Sequence, residues 1–284
     1  MPELPEVETI VRGLDKRVTG DTIDSVWIGS RRQPLKSPAA AIASTLEGKR
    51  IVRVHRAGKH IVLDVEQGHG LSTRRAADKS VRPRPAKAQW IIHLGMTGRL
   101  IVSEPAAETI KHTHLVARLA SGRELRFIDP RMFGKLSVHS AGFDPGGVEP
   151  LEVTEEQFLA LFRGRKTPIK SALLNQKLLR GVGNIYADES LFRAGIRPRR
   201  RAASLTREDL RRLYYAVREV LKEAIALGGS SISDYVDADG EEGFFQLQHR
   251  VYGREREPCL VCGTAVKRVV IVGRSSHYCP KCQK

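Results

Sequence analysis

Cys259-Leu260-Val261-Cys262 and Cys279-Pro280-Lys281-Cys282 are two CxxC knuckles, and together they hold all four cysteines of the 284-residue chain. Clustering of every thiol at one end argues for a metal site over a disulfide framework. The spacing Cys259-x2-Cys262-x16-Cys279-x2-Cys282 fits tetrahedral zinc, each knuckle supplying two thiolates. A redox dithiol or an iron–sulfur site are the rival uses of four such thiols. With all four positions taken by cysteine, one zinc ion has no open coordination site and holds a shape. The module from residue 244 onward is too small to bury much core, so the metal supplies its folding energy.

Upstream of this module the apolar period is helical. Thr206 and Asp209 open a long amphipathic helix through Leu210, Leu213, Tyr214, Val217, Leu221 and Ala224, which ends at Gly228-Gly229. Thr154 and Gln157 form a capping-box pattern before Phe158, Leu161 and Phe162. Thr167-Pro168 opens another helix with proline at its first position. Gly181-Val182-Gly183-Asn184 interrupts the pattern, and Ile185–Phe192 resumes it. Residues 230–243 read as a flexible polar loop.

Before residue 145 the period is mostly two. Val7, Ile10, Val11, Leu14 and Val18 share one face of a leading helix. Ile61, Leu63 and Val65 then alternate, and Trp90–Leu94 and Leu100–Val102 give shorter strand signals. Leu115, Ala117 and Leu119 face Leu125 and Phe127 across Ser121-Gly122, a hairpin pattern. Between strands, residues 67–88 carry six Lys and Arg with two prolines and read as a mobile basic loop. The expected organisation is an α+β multidomain chain. It has an N-terminal β-rich domain over 1–145, a linker over 146–157, a helical domain over 158–243 and the cysteine module over 244–284.

Lys and Arg number 48 against 32 Asp and Glu, a net charge of +16 with a pI near 10.0. Such a field attracts polyanions, nucleic acid first among them, with an acidic protein partner or a merely solvated surface as the alternatives. Apolar runs such as Val269–Val272 are too short to span a bilayer. The N-terminus has no basic stretch followed by an apolar one, so a cytoplasmic location is expected. There is no sign of an oligomer interface, and a monomer is expected.

Three weaker features carry chemistry. Removal of Met1 exposes the secondary amine of Pro2 beside Glu3. An α-amino group of pKa ~7.7–8.0 is neutral far more often at pH 7 than a lysine of pKa ~10.4. A neutral amine can attack a sugar C1′ to form an imine, with a carboxyl group moving the proton. Read alone this is weak, because every chain has an N-terminus. The glycine turn before Ile185 offers unpaired N–H groups to a phosphate, though a plain helix–helix turn has the same sequence. Met96, Arg131 and Phe133 are side chains suited to filling the hole left by an extruded base, or to ordinary core and surface duties.

Taken together, Met1-Pro-Glu-Leu-Pro-Glu-Val-Glu-Thr, His93-Leu-Gly-Met-Thr-Gly, Asp129-Pro-Arg-Met-Phe-Gly, Gly181-Val-Gly-Asn-Ile-Tyr-Ala-Asp-Glu, Val251-Tyr-Gly-Arg and the four-cysteine terminus run essentially end to end. In these motifs the chain resembles the formamidopyrimidine-DNA glycosylase branch of the Fpg/Nei family. The resemblance implies an N-terminal helix plus β-sandwich, a helix–two-turn–helix domain and a C-terminal four-cysteine zinc finger, acting on damaged double-stranded DNA. It implies Pro2 as Schiff-base nucleophile, Glu3 as general acid on the sugar, Lys59 in β-elimination and Arg274 in δ-elimination. It implies His112, Arg131, Arg165 and Asn184 as DNA contacts and Met96, Arg131 and Phe133 as the void-filling trio. It places Glu6 and residues 230–243 near the damaged base, and Cys259, Cys262, Cys279 and Cys282 on one structural zinc. The implied activity is excision of oxidised purines with abasic-site lyase activity.

Three departures stand out. Met132 replaces a second arginine found in some relatives, Asn175 replaces a frequent aspartate, and His60 follows the lysine where an aromatic is usual. Two other readings stay open: an endonuclease VIII-like enzyme for oxidised pyrimidines, and a non-catalytic DNA-binding protein on the same fold. The intact set Pro2, Glu3, Lys59 and Arg274 argues against the second.

Overall fold

Helix α1 (Leu4–Val18) carries the predicted apolar stripe, and Val7, Ile10, Val11, Leu14 and Val18 are all buried. A computed structural model describes residues 1–67, 88–104, 107–108, 110–140, 142–231 and 235–284. It divides into two units. The first comprises Met1–Pro2, Val7–Asp144 and Asp234–Glu241, the second Glu3–Glu6, Pro145–Ser233 and Glu242–Lys284.

The first unit is a β-sandwich with α1 as its leading helix. One antiparallel sheet has the order β1 (Ile23–Ile28), β6 (Thr113–Leu119), β7 (Glu124–Ile128), β5 (Arg99–Ser103). The other has the order β2 (Lys49–Ala57), β3 (His60–Gln67), β4 (Ala88–His93), β8 (Lys135–His139). A single apolar core joins the stripe of α1, Ile42 and Leu46 of helix α2 (Ala39–Leu46), and inward residues of both sheets, with Trp90 and Phe127 fully buried. The hairpin read from the sequence is present, and the structure sets its register, Leu115 opposite Phe127 and Ala117 opposite Leu125. Helix α2 and strands β1, β2 and β8 gave no decisive period: α2, β1 and β8 are short and repeat too few times to show one, and a register shift between Ile51 and Arg53 breaks the alternation of β2.

The polar loop expected over 230–243 is not uniformly loose. Tyr235 and Ala238 are buried in the core of the first unit, Val102 N–H donates to Ala238 O at 3.3 Å, and Arg17 pairs with Asp239. Residues 232–234 lie outside the described residues. So does the expected basic loop over 67–88, apart from Gln67 and Ala88, which end β3 and begin β4.

The second unit is helical. Helices α3 (Glu155–Phe162) and α6 (Arg207–Ala226) both open on the predicted capping boxes, Thr154 with Gln157 and Thr206 with Asp209. Helix α4 (Ile169–Leu173) starts one residue later than expected, because Pro168 is its extended N-cap. Helix α5 (Asn184–Ala194) follows the glycine turn and ends on left-handed Gly195. The expected linker over 146–157 has its own ties: Val148 bridges Leu179, Glu149 accepts from Arg180 Nε at 2.9 Å, and α3 begins within it. Leu4 is fully buried in the core formed by α3 to α6. The chain closes with a hairpin of β9 (Lys267–Ile271) and β10 (Arg274–Tyr278).

Candidate functional site

Each unit carries part of the predicted set. In the first, Pro2 is buried, and Lys59 is 8 % exposed in the tight turn between β2 and β3. Gly58 makes that turn at φ +60°, and Arg56 braces it, donating to Gly58 O at 3.2 Å and to Glu8 at 2.9 Å. His60 packs beside His93, ring centroids 5.0 Å apart, and against the edge of Phe143 at 5.1 Å. The histidine thus fills the aromatic role expected after the lysine. Burial, then the neighbouring His60, Lys135 and Lys59, push His93 down to about 4. Its Nδ1 accepts the Gly95 N–H at 3.1 Å, as the neutral ring requires.

Asp129 builds the loop that displays the expected void-filling residues. Its carboxylate accepts from Thr97 Oγ1 at 2.6 Å and Gly134 N–H at 2.7 Å, and its carbonyl oxygen lies 2.9 Å from His114 Nε2. A Cβ on Gly95 would lie 2.5 Å from the Phe133 carbonyl carbon, so glycine is required for the two segments to meet. Held this way, Met96 and Phe133 remain 44 % and 51 % exposed, although an apolar side chain gains by burial. The Arg131 guanidinium sits 4.8 Å from the Phe133 ring centroid, a cation–π contact. His112 is exposed with φ +69°, and Met132 has φ +55°. Asp129 and Thr97 lie in quoted motifs, yet only their contacts reveal their part in building the loop.

In the second unit, Glu3 sits at the start of α5. Gly183 is the N-cap and has no side chain to offer; Glu3 Oε1 accepts the Ile185 N–H at 3.2 Å in its place. The N-terminus that the sequence offered to a phosphate thus receives the chain's own carboxylate, where the helix dipole favours a negative charge. Leu4 N–H donates to Gly181 O at 3.0 Å. Gln176 closes the same turn, accepting from Gly181 N–H at 2.9 Å and donating to Val182 O at 2.8 Å. Its neighbour Asn175 accepts the Lys177 N–H at 3.0 Å through its side-chain oxygen, a local turn bond.

Glu6 is 2 % exposed and serves as an internal brace. It accepts from Glu3 N–H at 2.8 Å, from Ser230 N–H at 2.8 Å and from the Tyr186 hydroxyl. Burial pushes its pKa up, and these donors oppose the shift. Asn184 Nδ2 donates to Ser275 O at 3.0 Å, next to exposed Arg274. Arg165 is also exposed and donates to Leu161 O at the end of α3.

The four cysteine sulfurs lie within 4.8 Å of one another. Cys259 and Cys282 are separated by 3.9 Å, Cys262 and Cys279 by 3.5 Å. A tetrahedral site with Zn–S bonds of ~2.3 Å needs sulfurs about 3.8 Å apart, so the set fits one structural zinc. Val251, Val266 and Ile271 are buried aliphatic side chains of this module. Three consecutive N–H groups, of Arg250, Val251 and Tyr252, donate to buried Glu189 of α5 at 2.8–3.0 Å.

Compared with known proteins, residues 1–136 match the formamidopyrimidine-DNA glycosylase N-terminal domain and residues 147–236 its H2TH domain. Residues 256–284 match a zinc finger found in FPG and IleRS. Formamidopyrimidine-DNA glycosylases of Solibacter usitatus and Gluconobacter oxydans are 46 % and 40 % identical, each covered over 100 % of both chains. Among solved structures, the MutM (Fpg) protein of Thermus thermophilus has a TM-score of 0.83 at 40 % identity, covering 99 % of this chain and 98 % of that one. A Lactococcus lactis FPG mutant complexed with a Fapy-dG containing DNA has a TM-score of 0.86 at 31 % identity over 100 % of both. With full-length relatives at this identity, all three expected domains matched and the zinc ligands assembled, the chain belongs to the formamidopyrimidine-DNA glycosylase family.

Proposed function

We propose that this protein excises oxidised purines, 8-oxoguanine and formamidopyrimidines, from duplex DNA and then cleaves the abasic strand by β- and δ-elimination. The observation that carries the reading is Glu3, held on the N-terminus of α5 directly after Pro2 in the chain. An amine freed by removal of Met1 attacks C1′ as the base departs. The carboxyl group beside it handles the proton of the opening sugar ring. Lys59, in its braced turn, acts in β-elimination, and Arg274 on β10 in δ-elimination. Met96, Arg131 and Phe133 occupy the space of the extruded base. His112, Arg131, Arg165 and Asn184 contact the DNA backbone, and zinc on the four cysteines keeps the finger folded without taking part in the chemistry. The working form is a monomer in the cytoplasm, where reduced thiols remain available to the metal.

Borohydride trapping on an abasic duplex tests the nucleophile. The wild-type protein forms a covalent adduct, and Pro2→Gly loses it. An undiminished adduct in Pro2→Gly would sink the proline mechanism. On base lesions, 8-oxoguanine opposite cytosine is cleaved faster than thymine glycol; the reverse order would support the oxidised-pyrimidine reading.

A further inference from the structure

Lys170 of α4 is 0 % exposed, yet the proposed chemistry gives it no part. It pairs with Asp188 of α5, also 0 % exposed, at 2.6 Å. Burial costs each of these charges several kcal/mol, and such pairs are often no more stable than apolar replacements. Stability alone therefore does not account for the pair. What the two side chains hold is one edge of β10. Lys170 Nζ donates to the Ser275 carbonyl at 2.7 Å, and the Asp188 carboxylate accepts the His277 N–H at 2.8 Å. The carbonyl of one residue and the N–H two residues on point from the same strand edge, so the pair takes the place of a missing neighbouring strand. Asn184 Nδ2 adds a second donor to the Ser275 carbonyl at 3.0 Å. The residue just before this carbonyl is Arg274.

We propose that the Lys170–Asp188 pair is a positioning device for Arg274, fixing the strand that carries the guanidinium and so governing the last elimination step. The proposal rests on the role given above to Arg274. In the β step the C2′ proton passes to water and the C3′–O bond breaks, its electron pair leaving on the 3′ phosphate. In the δ step the C4′ proton passes to water and the C5′–O bond breaks, its electron pair leaving on the 5′ phosphate. A guanidinium stays protonated throughout and can only stabilise that departing anion. Its placement, not its ionisation, then sets the rate, and small displacements are costly.

The test is the ratio of δ- to β-elimination product on an abasic duplex. The variant is Lys170→Met with Asp188→Asn, which removes both charges and keeps an acceptor for the His277 N–H. The ratio is taken over molecules that have already completed β-elimination, so partial unfolding does not enter it. We expect bound zinc and the borohydride adduct to be retained and the ratio to fall at least tenfold. Adding Arg274→Ala should lower it no further, and Lys170→Arg with Asp188 intact should recover part of it. An unchanged ratio overturns the proposal. A variant devoid of β-elimination also overturns it, placing the pair in the fold as a whole. Absence of any adduct from the wild-type protein would instead reject the lyase reading itself.

Discussion

Gly183 is bare because Glu3 needs the space. A Cβ there would lie 2.1 Å from the Glu3 carboxyl carbon and 2.4–2.5 Å from its oxygens. The backbone at Gly183 is extended, φ −128°, ψ −160°, and any residue can adopt it. Gly183→Ala should therefore fold and melt near the wild-type temperature while losing base excision by roughly a hundredfold or more, the weight of a displaced proton-transfer group. Single-turnover excision beside a thermal melt separates the two effects, and wild-type excision would contradict the placement of Glu3. His93 makes a pH prediction. Its pKa is about 4 in the fold against ~6.5 in the unfolded chain. Between those values the unfolded state binds more protons, so stability falls as pH drops from 6.5 toward 4. The loss attributable to this ring is on the order of 3 kcal/mol. Urea midpoints for wild type and His93→Asn should converge in their acid sensitivity only if another group dominates; we expect the variant's slope to be flatter.

The finger is the element whose stability is borrowed. Its hairpin leaves Val270 and Val272 57 % and 79 % exposed, and few apolar side chains are buried beneath it. Cys262→Ser should release zinc, unfold the segment beyond Tyr252, and weaken DNA binding together with the δ step. The apolar core of α3 to α6 should remain folded, because its buried cluster does not include the finger hairpin. Zinc analysis with far-ultraviolet and near-ultraviolet spectra checks this; wild-type zinc content and binding in the variant would contradict it. Helix α5 is the element that collects the most duties, taking Glu3 at its N-terminus, Lys170 through Asp188, and the finger's first residues through Glu189.

At the scale of the molecule, a charge of +16 sets the mode of association. Each phosphate neutralised releases counterions, and log K should fall with log salt by ~0.9 per phosphate. About six contacts would cost on the order of a thousandfold between ~50 and ~200 mM salt. A titration on undamaged duplex measures the slope, and a flat result would contradict backbone binding.

The sequence by itself determined the elements whose signal is local. The period of α1 and the capping boxes at Thr154 and Thr206 depend on residues within a few turns of one another, and the hairpin about Ser121-Gly122 and the cysteine knuckles on short stretches of one segment. The recurring motifs carried the family and the candidate residues, Pro2 and Glu3 among them. Only the tertiary structure decided what those residues touch. Glu3 caps a helix 182 residues away, and Lys170 reaches a carbonyl 105 residues away. Residues 235–241 have the polar composition of a loop, yet two of their side chains complete an apolar core. Such contacts leave no period in the chain, because nothing within a local window repeats to announce them.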